Sequence, residues 1–145
     1  MSCIGREREQ AELVAALDHG YLIDQFLRDG TNHRRDRCGG SIEGRVRFLL
    51  EVTEAAAQAW SVDRVGIRLS PTIGHLRADD SDPLRHFAHV ADVLSPIAPA
   101  YLHLVAPEFE DPESLDRAII VEMRRRFDGR GILNGGLDST VPTKR

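Results

Sequence analysis

"VGIRLSP", residues Val65–Pro71, is a short run of mostly branched apolar residues that carries one arginine and is closed by a Ser-Pro pair. Such a segment reads as a buried strand. Two further stretches have the same character, "AYLHLV" at Ala100–Val105 and "GILNGG" at Gly131–Gly136. Helical patterns separate them. Asp82 and Pro83 form a cap and first-turn pair, followed by Leu84, Phe87, Val90, Ala91 and Leu94 at helical spacing until Pro96 and Pro99. Asp111 and Pro112 are expected to open the next helix, with Leu115, Ile119, Val121 and Met123 as its apolar residues, Arg124–Arg126 in its last turn and Gly129 beyond its end. Upstream, Ser41 caps a longer helix whose expected stripe is Phe48, Leu49, Val52, Ala56 and Ala59, ending near Trp60.

The strands recur about every 30–35 residues, the size of a βαβ unit. The layout is therefore parallel α/β. Periodicity alone leaves a doubly wound sheet and part of a (β/α)8 barrel both open. The first forty residues are less regular. "REREQAELVAALDHG", Arg6–Gly20, has the alanine and charge content of an amphipathic helix with Leu13, Val14 and Leu17 on one face. The expected organisation is one domain over 1–145, with an N-terminal helix within 1–17 and a polar tail at 139–145.

Composition narrows the function classes. With 19 Lys and Arg against 23 Asp and Glu, the formal charge of −4 offers no general attraction for phosphate backbones or anionic lipid. No apolar run approaches the roughly 18 residues of a membrane span, and the first residues have no apolar core of a secretion signal. Cys3 and Cys38 have neither metal-ligand spacing nor a disulfide pattern, so they read as free thiols. The expectations are a cytoplasmic protein with no nucleic-acid partner and no membrane association.

Several residues are candidates for chemistry. Arg68 lies mid-strand, where a charge is costly unless it meets an anion, a polar ligand or a salt-bridge partner. His19 and Tyr21 flank Gly20 and supply a hydrogen-bond donor and a phenolic acid, or else a surface histidine and a core tyrosine around a helix-ending glycine. Gly135 and Gly136 end a strand in a turn whose N–H groups suit a phosphate, although a glycine pair also simply makes turns. His86 and His89 stand one helical turn apart with no third metal ligand nearby. His103 either faces a ligand or fills a satisfied polar position. "HRRDR", His33–Arg37, reads as a solvated loop with local ion pairs.

Taken in order, "HGYLIDQFL" (His19–Leu27), "NHRRDRCGGSIEGRVRFLLE" (Asn32–Glu51), "DRVGIRLSP" (Asp63–Pro71), "YLHLV" (Tyr101–Val105) and "ILNGGLD" (Ile132–Asp138) resemble the Old Yellow Enzyme family of FMN-dependent ene-reductases, in its oxophytodienoate-reductase-like branch. The resemblance covers about Asp18–Asp138 and implies part of a (β/α)8 barrel, strands four to seven, that does not close by itself. It further implies FMN as cofactor, NAD(P)H as reductant and an activated alkene such as an enone as substrate. Within it, Tyr21 matches the proton donor, His19 one of two residues holding the substrate carbonyl, Arg68 the cation beside the flavin pyrimidine, and Gly135 and Gly136 the phosphate contacts. Three positions depart from the pattern: Ala16 stands where the other carbonyl donor belongs, Cys38 replaces an aromatic and Gly44 an asparagine. An α/β remnant that binds a partner without catalysis is the alternative. Open sheet edges in a partial barrel would favour self-association.

Overall fold

The computed structural model describes residues 13–17, 21–72 and 80–135. Four strands and four α-helices follow one another as β1 (Leu13–Leu17), α1 (Leu22–Leu27), α2 (Ile42–Trp60), β2 (Val65–Leu69), α3 (Pro83–Leu94), β3 (Tyr101–Val105), α4 (Leu115–Arg126) and β4 (Gly131–Asn134). The strands make one sheet in the order β1-β2-β3-β4, and every pairing is parallel. Strand order thus equals chain order, with helices in each connection, as in a length of (β/α)8 barrel wall. Among the described residues the sheet does not close on itself, and β1 and β4 are its two edges.

The strands expected at 65–70 and 100–105 are found as β2 and β3, the one expected at 131–136 is found over Gly131–Asn134 with Gly136 outside the described residues, and the Ser41 and Asp82 caps are real. Ser41 Oγ accepts from the Gly44 N–H and Asp82 from the Arg85 N–H, each at 3.2 Å.

Three expectations are corrected. Leu13–Leu17, expected to be helical, is strand β1, paired from Leu13 with Val65 to Leu17 with Leu69. A five-residue run has little helical stability of its own, and pairing with β2 along its whole length overrides the preference of its alanines. The helix expected to open at Asp111 and Pro112 begins instead at Leu115. Ser114 Oγ caps it by accepting from the Arg117 N–H at 3.1 Å, while Asp111 closes a local turn by accepting from the Glu113 N–H. The helical stripes are also rotated. In α2 the buried line is Val46, Leu49, Thr53 and Ala56, with Ala59 exposed, and in α4 Leu115 and Val121 are exposed while Ile119, Ile120 and Met123 are buried. Buried Thr53, whose hydroxyl donates to the Leu49 carbonyl at 2.8 Å, belongs to a face that hydropathy alone does not reveal.

Strand side chains divide between two layers. Ile67 and Leu69 of β2 and Leu102 and Leu104 of β3 join Leu49 of α2, Phe87, Val90 and Leu94 of α3, and Ile119 and Met123 of α4 in one core. Because successive strand residues point to opposite faces, Gly66, Arg68, Tyr101 and His103 stand on the face turned away from the helices. Gly66 is required there: an added Cβ would lie 2.2 Å from Tyr101 Cζ, so the tyrosine ring lies directly over the glycine.

Candidate functional site

Parallel strands bring all their C-terminal ends to one rim of the sheet, where the loops that follow can converge on a ligand. Tyr21 follows β1 on this rim, Ser70–Thr72 follow β2, Ala106 and Pro107 follow β3, and Gly135 follows β4.

Arg68 is half-buried on the sheet face opposite the helices. The register sets it beside His103 of β3 on one side and opposite Ala16 of β1 on the other, and aligns His103 with Ile132 of β4. Of the two roles open to His103, this placement puts it next to the candidate cation. Tyr21 is the N-cap residue of α1 and is 68% exposed, so it is a rim residue rather than a core tyrosine. Gly135 has φ +98°, in the region that favours glycine, and an added Cβ would approach the Ala106 and Pro107 backbone to 3.2 Å. His19 and Gly136 lie outside the described residues, as do Cys3 and the tail at 139–145.

Behind the rim lies a buried polar layer that the sequence reading does not contain. Arg28, at the end of α1, donates through Nε to Asp24 at 3.0 Å, through Nη1 to the Pro71 carbonyl at 2.7 Å and through Nη2 to the Ser70 carbonyl at 2.7 Å. Its guanidinium also stands 5.1 Å from the centre of the Phe87 ring. Arg45 of α2 donates to the Leu27 carbonyl at 2.8 Å and the Gly40 carbonyl at 2.9 Å, and its Nη2 is 3.8 Å from Asp80. Asp80 is hydrogen-bonded in turn to Nδ1 of the fully buried His86. Burial works against the charge on Asp80, but the His86 ring, the Asp82 backbone N–H and the Arg45 charge together outweigh it, and its carboxyl is held below the ordinary range. Of this layer only Arg45 and His86 fall inside elements expected from the sequence, and Asp24, Arg28 and Asp80 lie outside them.

His86 therefore serves this network, while His89 lines the wall of a cleft. Among the described residues no group of three or more His, Cys, Asp or Glu side chains is placed to hold a metal. The "HRRDR" segment is exposed and internally paired, with Arg34 bonded to Asp36, whose carboxyl is lowered by it. An open cleft of about 890 Å³ runs between α3 and α4, but it lies on the helical side, and its Arg126 is already paired with Asp92 and Glu122 at 2.6 Å each. Of the sequence candidates, His89 lines this cleft, while Arg68, Tyr21 and Gly135 lie on or next to the rim. No helix among the described residues is long and apolar enough to cross a membrane.

Comparison with known proteins agrees with the parallel β/α fold. The NADH:flavin oxidoreductase / NADH oxidase family matches residues 12–116. A putative 12-oxophytodienoate reductase-like protein of Arabidopsis thaliana is 41% identical over 120 residues, which cover 81% of this chain and 37% of the relative. Morphinone reductase in complex with tetrahydroNAD superposes with a TM-score of 0.74 at 38% identity, over 86% of this chain and 33% of that one. An Old Yellow Enzyme homologue from Zymomonas mobilis gives a TM-score of 0.76 at 34% identity, over 86% and 35%. The chain thus spans about a third of the length of the proteins it matches. With parallel β/α units running in chain order and the family match extending over most of its residues, the chain is a partial (β/α)8 barrel of the NADH:flavin oxidoreductase / NADH oxidase family, to which the Old Yellow Enzymes belong.

Proposed function

We propose that this chain contributes the FMN- and substrate-facing wall of an NAD(P)H-dependent ene-reductase. The observation that carries the reading is Arg68, a cation set beside His103 on the sheet face away from the helices, just before the rim that bears Tyr21 and Gly135. The residues present suit flavin mononucleotide: the Arg68 guanidinium would hold the pyrimidine edge, and the left-handed backbone at Gly135, followed in sequence by Gly136, suits a turn whose N–H groups would meet a phosphate. Bound FMN would supply the hydride, taken from NAD(P)H and passed to the β-carbon of an activated alkene such as an enone.

The chain's own residues manage the proton and the charge. The Tyr21 phenol holds the proton destined for the substrate α-carbon, and its exposure at the rim leaves it accessible to a ligand. His19 donates to the carbonyl oxygen as negative charge develops there. Ala16, in register with Arg68, has no side-chain donor to share that task. We further propose that a polypeptide of these residues self-associates through the open β1 and β4 edges.

Purification followed by visible spectroscopy and FMN fluorescence titration tests the reading. A yellow protein that quenches added FMN saturably supports it, and a colourless protein that leaves FMN fluorescence unchanged overturns it for this chain.

A further inference from the structure

We propose that Arg28 and Asp116 are positioning residues that brace the exit of β2 from both flanks and thereby fix Arg68; this rests on the role given to Arg68 above. The backbone leaving β2 runs Ser70, Pro71, Thr72, directly after Leu69. From the α1 side, the Arg28 guanidinium forks onto two successive carbonyls, Ser70 and Pro71, while its Nε is held by Asp24. From the α4 side, Asp116 accepts from the Thr72 hydroxyl, and its other oxygen accepts the Glu108 N–H at 2.7 Å. Three consecutive residues are thus held by two ionic side chains from different β/α units.

Both braces are buried, Arg28 at 2% and Asp116 at 3% exposure. Desolvating a charge is costly, so a buried one persists only where its donors or acceptors are well used. Here their partners are chiefly the main chain and side chains of loops at the strand ends, with Asp24 alone inside α1. The partners also link successive units: Arg28 ties the segment after β1 to the exit of β2, and Asp116 ties that exit to the loop after β3. Arg68 lies two residues before the braced carbonyls, on a strand of only five residues, so movement at Ser70–Thr72 is transmitted to it. A lysine has one ammonium in place of the planar fork and cannot hold both carbonyls in the same geometry.

The test uses the full chain with Arg28→Lys and, separately, Thr72→Val, read by hydrogen–deuterium exchange over residues 67–72 and by FMN fluorescence titration. Each variant is expected to exchange at least tenfold faster in that segment while α2 keeps its protection, and to bind FMN at least fivefold more weakly. The loss of affinity should disappear in an Arg68→Ala background, because the brace acts through Arg68. Unchanged exchange at 67–72, faster exchange spread evenly into α2, or an equal loss of affinity with and without Arg68 would each overturn the proposal. If the unmodified chain binds no FMN, the flavin reading fails on its own and the exchange result decides the brace.

Discussion

Arg68 and His103 stand in register on neighbouring parallel strands, both on the sheet face turned away from the helices. Two nitrogen-rich side chains side by side favour an anionic or electron-rich ligand over that part of the sheet. Replacement of Arg68 by alanine is expected to weaken FMN binding at least tenfold, about the 1.5–3 kcal/mol of a charge-assisted hydrogen bond. Fluorescence titration of the two proteins checks this, and equal dissociation constants would remove Arg68 from the site.

Tyr21 caps the start of α1 with its side chain largely in solvent and no side-chain capping bond. Tyr21→Phe should therefore leave the thermal midpoint within experimental error. If the phenol is the acid, stopped-flow kinetics will show slower reoxidation of reduced flavin by an enone, with flavin reduction by NADPH little changed. Equal slowing of both half-reactions argues against the assignment.

Asp80 gives the fold a defined acid sensitivity. Its folded-state pKa is depressed, so its stabilising contribution is complete above the ordinary aspartate value of about 3.9 and is lost as pH falls through the lower folded value. Urea unfolding followed between pH 3 and pH 7 should show this loss at the acid end. Asp80→Asn should flatten that part of the profile and cost about 1–3 kcal/mol at neutral pH, since it strips buried His86 and Arg45 of their anionic partner.

Phe87 is fully buried at the centre of α3 and lies beneath the Arg28 guanidinium. Phe87→Ala is expected to cost about 3–5 kcal/mol through the lost burial and the cavity left behind. Chemical denaturation measures it. A cost below about 1 kcal/mol would mean that α3 does not seat this ring in the core.

Ile132 is 46% exposed on β4, an edge strand of the sheet. An edge with unpaired backbone groups and an exposed apolar side chain invites pairing with another molecule. The polypeptide should sediment with increasing apparent mass as its concentration rises, and Ile132→Lys should move it toward monomer. A concentration-independent monomer before substitution would refute the expectation.

Local pattern alone was enough for much of the fold. "VGIRLS", "AYLHLV" and "GILNGG" carry their strands in their own composition, and Ser41 and Asp82 announce helix starts because a cap needs only a side-chain oxygen and an N–H three residues on. Order and spacing of the five quoted blocks sufficed for the family, and the roles proposed for Arg68, Tyr21 and Gly135 come from the same resemblance. What local pattern could not supply were the features made by distant residues. Leu13–Leu17 is a strand because β2 pairs with it across some fifty residues, which its alanines do not foretell. The buried faces of α2 and α4 were set by the neighbours they pack on, since Thr53 and Asp116 are buried only where partners satisfy them. Arg28 reads as one more charge in a polar loop until the fold carries Ser70 and Pro71, more than forty positions away, within 2.7 Å of its guanidinium. Hydrogen bonds between segments distant in sequence leave no period in it, so only the tertiary structure could decide which charges are buried and what they hold.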